Sequence, residues 1–423
     1  MTLSGQQIGQ FLFPLFADVI IPSSRVGLGP SLRTLDKNNF APRLGLAWRG
    51  SNDFVVRAGY GVFYGLIQGN RSESTGIVNA PFLADELSNF NTAPNPTKSL
   101  ANMFSPISQG LNLIPLNFFQ IETNMRDPYF HQWNFALQKV VAKVISLEGA
   151  YVASKGTKIE FSRPVNVPSP GPGTIQDRRQ WTRFASGTYV ENGGYSNYHA
   201  LQTKLEIRGW HGLSLLSSYA YAKSIDNQSG DNQGFSSQDP NNNNGERALS
   251  DYDVRHRFVN SLNYALPFGR GGPKPLSLLV RDWELGSIIT FQSGLPFTPS
   301  IGTDPANTGT SLRPNRIGSG KLEDRTLFRD FDTSAFTVPS AFTFGNSSRN
   351  ILNARSFRNW DLIVSRNFAL RETVRLQFRA EFFNLTNTPA FGSPVANIQA
   401  ANAGRVLSAG EPRDIQFALK LSF

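Results

Sequence analysis

The amino-acid sequence predicts an all-β fold: an antiparallel transmembrane β-barrel with short turns at one end and long loops at the other. Three observations predict it. Apolar residues recur at every second position in many segments, the connections between those segments alternate between short and long, and the chain is rich in aromatics without being hydrophobic on average. Of its 423 residues 39% are hydrophobic and mean hydropathy is −0.28, yet 12% are aromatic, with 33 Phe, 11 Tyr and 6 Trp. A strand that deals its apolar side chains to one face only can sit in a membrane without raising the mean.

The alternation is clearest near the C-terminus. In VRLQFRAEF, Val374, Leu376, Phe378, Ala380 and Phe382 share one face while Arg375, Gln377, Arg379 and Glu381 share the other. The last segment sets Ile415, Phe417, Leu419, Leu421 and Phe423 against Gln416, Ala418, Lys420 and Ser422. In ALQTKLEIR the same division separates Leu201, Thr203, Leu205 and Ile207 from Gln202, Lys204, Glu206 and Arg208. A helix would need apolar positions three and four apart, which these segments lack. Weaker versions of the pattern place about eleven strands near 42–48, 54–64, 130–140, 144–154, 198–209, 212–223, 255–267, 281–294, 357–368, 372–384 and 412–423. Many have the roughly ten residues that a tilted strand needs to cross a hydrocarbon core.

Tight links are expected at 49–53, around Val141, at 209–211, at 267–275 and at 369–371, and long ones at 65–129, 155–197, 224–254, 295–356 and 385–411. Outer-membrane barrels show this asymmetry, with short periplasmic turns and long extracellular loops, whereas a soluble sandwich or propeller has no reason to keep every second connection long. The long segments have loop composition: 224–253 is rich in Asn, Asp, Ser and Gly, and 165–173 is a Pro/Gly turn region. Trp133, Tyr151, Trp210, Tyr219, Tyr221, Tyr264, Trp283 and Trp360 recur near strand ends, as an interfacial girdle requires. No period of 20–50 residues marks a solenoid.

Other classes find little support. The best apolar run, Phe11 to Ile21, is short and broken by Pro14 and Asp18, so no transmembrane helix is expected. The first ten residues lack the basic start and cleavage site of a secretory signal, and Met1 is read as a start codon assigned inside a longer gene. Cysteine is absent, which excludes disulfides and thiolate metal sites. The formal charge of +10 is spread singly through strands and loops, with no basic run, so a basic lumen and basic loops near anionic headgroups are favoured over nucleic acid.

Catalytic chemistry is not expected either. His131, His199, His211 and His256 lack metal-ligand spacing. There is no G-x-S-x-G elbow, and in GAYVASKGT both Ser154 and Gly156 depart from a phosphate loop. Asp226, Asp231, Asp239, Asp251 and Asp253 crowd one loop and could hold calcium, but an acidic, Asn-rich loop is more often simply solvated. The row Arg375, Gln377, Arg379 and Glu381 is expected to face the lumen and to form a cross-strand charge ladder, with contact to a plug or substrate as the alternative. No enzyme activity and no cofactor are expected.

Seven stretches follow one another along the chain: NFAPRLGLAWRGSNDFVVRAGYGVFYG (39–65), RDPYFHQWNFALQK (126–139), LEGAYVASKGTKI (147–159), DYDVRHRFVNSLNYALPFGRG (251–271), WELGSIITFQSGLPFTP (283–299), RNWDLIVSRNFALRETVRLQFRAEFFNLTNTPAFGSP (358–394) and PRDIQFALKLSF (412–423). In sequence and in order they resemble the barrel of Oar-like TonB-dependent outer-membrane receptors. The resemblance implies a bacterial outer-membrane location and a barrel of about 22 strands closed around a plug. Phe417, Leu419, Leu421 and Phe423 resemble the C-terminal signal read by the barrel assembly machinery, with outer-membrane lipid as the other contact. Residues 1–38 are expected to be an irregular lead-in holding at most one strand, and 39–423 the C-terminal part of the barrel, about 11–12 strands without a plug. In such receptors the TonB complex acts through the plug and its TonB box, neither of which is seen here, and an unidentified substrate is imported. The alternatives are a non-transporting outer-membrane barrel with an adhesion, secretion-related or structural role, and a soluble secreted β-protein.

Overall fold

A computed structural model describes residues 36–50, 53–65, 115–230, 237–268, 281–371 and 373–423, with single residues at 25, 27 and 34. Most of the lead-in, most of the connection 65–129, much of the link 267–275 and Asp231 lie outside the described residues.

The strands in chain order are β1 (Arg43–Arg49), β2 (Phe54–Tyr64), β3 (Leu116–Ile121), β4 (Tyr129–Val141), β5 (Ile145–Val165), β6 (Phe184–Trp210), β7 (Leu213–Asp226), β8 (Ala248–Leu249), β9 (His256–Ala265), β10 (Trp283–Gln292), β11 (Pro296–Phe297), β12 (Asn315–Arg316), β13 (Phe336–Thr337), β14 (Leu352–Asn353), β15 (Phe357–Ala369), β16 (Arg375–Phe383) and β17 (Asp414–Ser422). Eleven of them pair antiparallel in the order β1-β2-β4-β5-β6-β7-β9-β10-β15-β16-β17, a meander that we call the wall. These are the eleven segments the alternation predicts; the links 50–53, 142–144, 211–212 and 370–374 are short as expected, whereas 266–282, expected to be tight, is about as long as 166–183 and lies mostly outside the described residues. Among the described residues the wall is an open sheet with β1 and β17 at its edges; no closed barrel is seen.

The register sorts the wall into two chemically different faces. One carries Leu44, Leu46, Val56, Phe135, Leu137, Leu147, Leu205, Leu215, Leu262, Leu285, Leu362, Phe378, Phe417 and Leu419 in adjoining positions. The other carries Arg57, Gln138, Glu148, Lys204, Ser218, Ser261, Asn263, Ser365, Arg379 and Gln416. Because the side-chain period is two, a one-residue slip would exchange the faces, so the alternation itself fixes the register. Short turns use left-handed backbone: Ala142 and Lys143 between β4 and β5, then Gly209 near the end of β6 with His211 and Gly212 between β6 and β7. A Cβ on Gly212 would stand 2.6 Å from the Ala265 carbonyl oxygen, so that turn needs glycine on two counts.

The structure corrects the expectations in three places. The connection 155–197 is not mainly loop, since β5 runs to Val165 and β6 begins at Phe184. At about 3.3 Å per residue, the 27-residue β6 is far longer than a bilayer crossing requires. Second, β3 pairs with β6 in parallel, so the sheet is not purely antiparallel. Third, the connection 295–356 is folded. It holds two small two-stranded sheets, β11–β14 and β12–β13, and a hydrophobic core of Phe297, Phe331, Ala335, Phe336, Leu352 and Ala354.

Candidate functional site

The long-loop end of the wall carries this folded loop assembly, and it is the strongest candidate for a functional surface. Its apolar core is placed by β10 and β15, which lead into it from one side and out of it on the other. Gly294 lets the two strands of the neck approach; a Cβ there would lie 1.9 Å from the Ala354 carbonyl oxygen. A second small cluster of Ile301, Ala306 and Leu312 continues the core, with Ile398 of the last long loop packed against both.

Buried ion pairs fasten the loops to one another. Arg313 and Glu246 form a two-pronged pair, Nη1 to Oε2 at 2.7 Å and Nη2 to Oε1 at 3.1 Å, and both are buried. The carboxylate also accepts from the Gln238 amide at 3.0 Å, and Arg313 Nε donates to the Ser347 carbonyl at 2.8 Å. With their remaining donors and acceptors occupied, the two charges are retained in a dry site. Arg349 joins the end of β7 to the same loop: its guanidinium binds the Asp226 carboxylate, and Nη1 reaches Asp251 at 3.1 Å. Asp330, buried, accepts from Arg325 and from Arg355 Nε at 2.6 Å. Across to the β5–β6 connection, Asn307 Nδ2 donates to the carbonyls of Gly171 at 2.9 Å and Gly173 at 2.8 Å. Asp332 caps a short turn; the Ser334 hydroxyl at 2.7 Å, then Arg329 at 3.0 Å, hold its carboxyl below the usual carboxylate range.

The described carboxylates of the acidic loop are therefore tied into the assembly, Asp226 and Asp253 buried and Asp251 exposed beside Arg349. Asp253 accepts from the Ser224 amide at 2.6 Å, and Asp251 binds Arg349 and Asn350. Among the described residues no group of three His, Cys, Asp or Glu side chains is arranged to hold a metal ion. Asp226 and Asp251 share Arg349, far along the chain, which local composition does not reveal, while Asp253 pairs with nearby Arg255. On its outer side the assembly presents exposed Tyr252, Ile317 and Phe328, with the Arg405 guanidinium 4.9 Å from the Phe328 ring centre. Rigid, amphipathic groups on a preformed scaffold suit reversible contact with a ligand.

The residues singled out in the sequence lie at the other end of the wall and along it. Phe417, Leu419 and Leu421 stand on the apolar face of β17, and the terminal Phe423 follows; all are exposed. Arg375, Gln377, Arg379 and Glu381 share the polar face of β16. The ladder expected across strands is instead an ion pair along one strand, Arg379 to Glu381, because the cross-strand neighbours are Ser365 and Ala418 for the arginine and Ile363 and Gln416 for the carboxylate. Sequence reasoning missed Arg313, Arg349, Glu246 and Asp330. The one signal that could have flagged their region is the cluster of Phe297, Phe331 and Phe336 in a segment otherwise read as loop.

Comparison with known proteins gives one family. A family model described as "Outer membrane beta barrel domain" matches residues 4–416. No curated protein matches the chain. Among solved structures, the outer membrane transporter YddB from Escherichia coli is 12% identical over 88% of this chain and 38% of that one, with a TM-score of 0.44. The FrpB iron transporter from Neisseria meningitidis is 11% identical over 90% of this chain and 39% of that one, with a TM-score of 0.44. The ferripyoverdine receptor of the outer membrane of Pseudomonas aeruginosa is 7% identical over 91% of this chain and 33% of that one, again with a TM-score of 0.44. The chain spans between 33% and 39% of the length of these structures, and at such distances no residue's role is carried across.

Proposed function

The chain belongs to the outer-membrane β-barrel domain family, and from that premise we propose that it forms wall and outer loops of an Oar-like TonB-dependent receptor importing an unidentified substrate. In this reading the apolar face of the wall meets lipid, the polar face with Arg375, Gln377, Arg379 and Glu381 lines the lumen, and the long-loop end points out of the cell. Phe417, Leu419, Leu421 and Phe423 serve as the insertion signal. Energy from the TonB complex would arrive through a plug.

The observation that carries the reading is the loop assembly itself. A barrel that only anchors a structure needs loops that are soluble, whereas here Arg313 and Arg349 tie the 295–356 connection to the loop after β7, and Arg325 and Arg355 on Asp330 brace that connection internally. Such preorganisation lowers the ordering cost when a ligand binds. The ordered set of resembling segments over 39–423 supports the receptor class in particular.

The test is comparative analysis of spent medium. A strain lacking the gene should leave behind a compound that the parent depletes, and a strain lacking TonB should leave the same compound. Equal depletion by all three strains across complex media would contradict the receptor reading.

A further inference from the structure

The apolar face of the wall is interrupted by a single line of basic groups at its long-loop boundary. His131 on β4 stands opposite Lys155 on β5, and His199 on β6 opposite Lys223 on β7. His256 opens β9 opposite Tyr221, and Arg358 on β15 faces Phe291. Each imidazole shares a hydrogen bond through Nδ1 with a tyrosine hydroxyl of the preceding wall strand: Tyr60 to His131 at 2.7 Å, Tyr151 to His199 at 2.7 Å and Tyr219 to His256 at 2.9 Å. The same Tyr–His unit is thus built three times. In each, the bond sets the ring's orientation and leaves Nε2 as its other polar atom. Lys155, Lys223 and Arg358 are exposed, so their charged ends are available.

The charge asymmetry between the two faces is the second observation. Between the short turns and the basic line, the wall's carboxylates Glu148, Glu206, Glu284, Asp361 and Glu381 all fall on the polar register, where they mix with Arg57, Lys204 and Arg379. Over the same span the apolar register carries none. A cation on that face therefore has no counter-ion in the sheet at its own level. At the short-turn end the same face offers only Lys139 and Arg366, the latter buried with its guanidinium 4.3 Å from the centre of the Phe368 ring.

We propose that this line binds the phosphate groups of an anionic lipid of the outer leaflet, lysine and arginine supplying charge and the Tyr–His units supplying oriented donors. With strands about 4.8 Å apart, the line from β4 to β15 runs roughly 30 Å along the boundary, room for more than one headgroup. Lysine and arginine stems lie along apolar surface while their ends reach the interface, which suits a phosphate at headgroup depth better than a soluble anion arriving from water. Tyrosine at the same level is the usual interfacial anchor. The proposal rests on the reading above that the long-loop end faces outward.

The test uses the full-length protein extracted from outer membranes, with retained lipid counted by native mass spectrometry. Probes are lipid A with two phosphates, its dephosphorylated form, and inorganic phosphate. The wild type should retain the phosphorylated form at least tenfold over the dephosphorylated one, and millimolar inorganic phosphate should not displace it. Combining Lys155→Gln, Lys223→Gln and Arg358→Gln should remove that preference, while Lys155→Arg, Lys223→Arg and Arg358→Lys together should keep it. Lys139→Gln should change nothing. Unchanged retention by the triple Gln variant, with the same heat-dependent gel mobility as wild type, would overturn the site. Displacement by inorganic phosphate would overturn the lipid source. Loss on Lys139→Gln alone would overturn the outward orientation, a failure that is independent of any spent-medium result.

Discussion

Leu419 and Phe417 on the wall are 71% and 68% exposed, whereas Phe331 and Phe336 in the loop assembly are 2% and 4% exposed. The same residue classes thus serve opposite ends in two regions of one molecule. In the wall, backbone hydrogen bonds between neighbouring strands supply cohesion, and apolar side chains are left exposed on one face, as the proposed lipid contact requires. In the loop assembly there is no regular ladder beyond two-residue strands, so cohesion comes from a conventional apolar core and from arginine–carboxylate pairs. The inversion extends to charge. Arginines on the wall are mostly solvent-facing or paired along the surface, while Arg313 and Arg349 in the loops are buried with their partners.

That contrast predicts where substitutions will be felt. Glu246→Ala should have the largest effect, because it strands Arg313 in a dry site; breaking such a pair costs about 3–5 kcal/mol. The loss should appear as rapid proteolysis within 295–356, with the wall's heat-dependent gel mobility unchanged. If instead the wall melts together with the loops, the two regions are one cooperative unit and the division drawn here fails. A smaller effect is expected for Leu419→Arg on the wall, about 2–4 kcal/mol in a bilayer if its level is near the midplane. Its neighbour on the opposite face, Ala418→Arg, should cost close to nothing. Urea titration in lipid vesicles compares the two, and equal costs would show that the two faces do not differ in what they touch.

The comparison also explains what could be read from sequence. All eleven wall strands were legible because a strand with one apolar and one polar face must alternate, and alternation is a local signal. The continuation of β5 past Lys155 was not, since register shifts at Gly156, Ile159 and Phe161 and the left-handed Lys158 break the period where the strand leaves the apolar band. There the constraint is mutual packing, with Phe161 and Val190 buried, and no lipid face imposes a pattern. β3 is six residues long and acquires meaning only from the far end of β6, so nothing in its own sequence announces it. The loop assembly was hidden for a related reason. Glu246 and Arg313 are 67 residues apart, and Asp226 and Arg349 are 123 apart, so each charge reads locally as an ordinary solvated group. The row on β16 was legible as a face but not as a partnership: that Arg379 would choose Glu381 depends on which neighbours β15 and β17 place beside it.

The central claim is that one face of the wall meets lipid while the loop assembly stands in water outside the cell. A natural absence of cysteine makes it directly testable with single-cysteine variants. Each position from 415 to 421 on β17, Asn244 in the loop assembly and Lys143 in a short turn would be replaced in turn, and intact cells treated with a membrane-impermeant maleimide and, separately, a lipid-soluble one. Period-two alternation is expected along β17, with 415, 417, 419 and 421 reacting with the lipid-soluble reagent and 416, 418 and 420 failing to do so. Asn244→Cys should react with the impermeant reagent in intact cells and Lys143→Cys only after lysis. Uniform reactivity along β17, or labelling of Lys143→Cys in preference to Asn244→Cys, would contradict that claim.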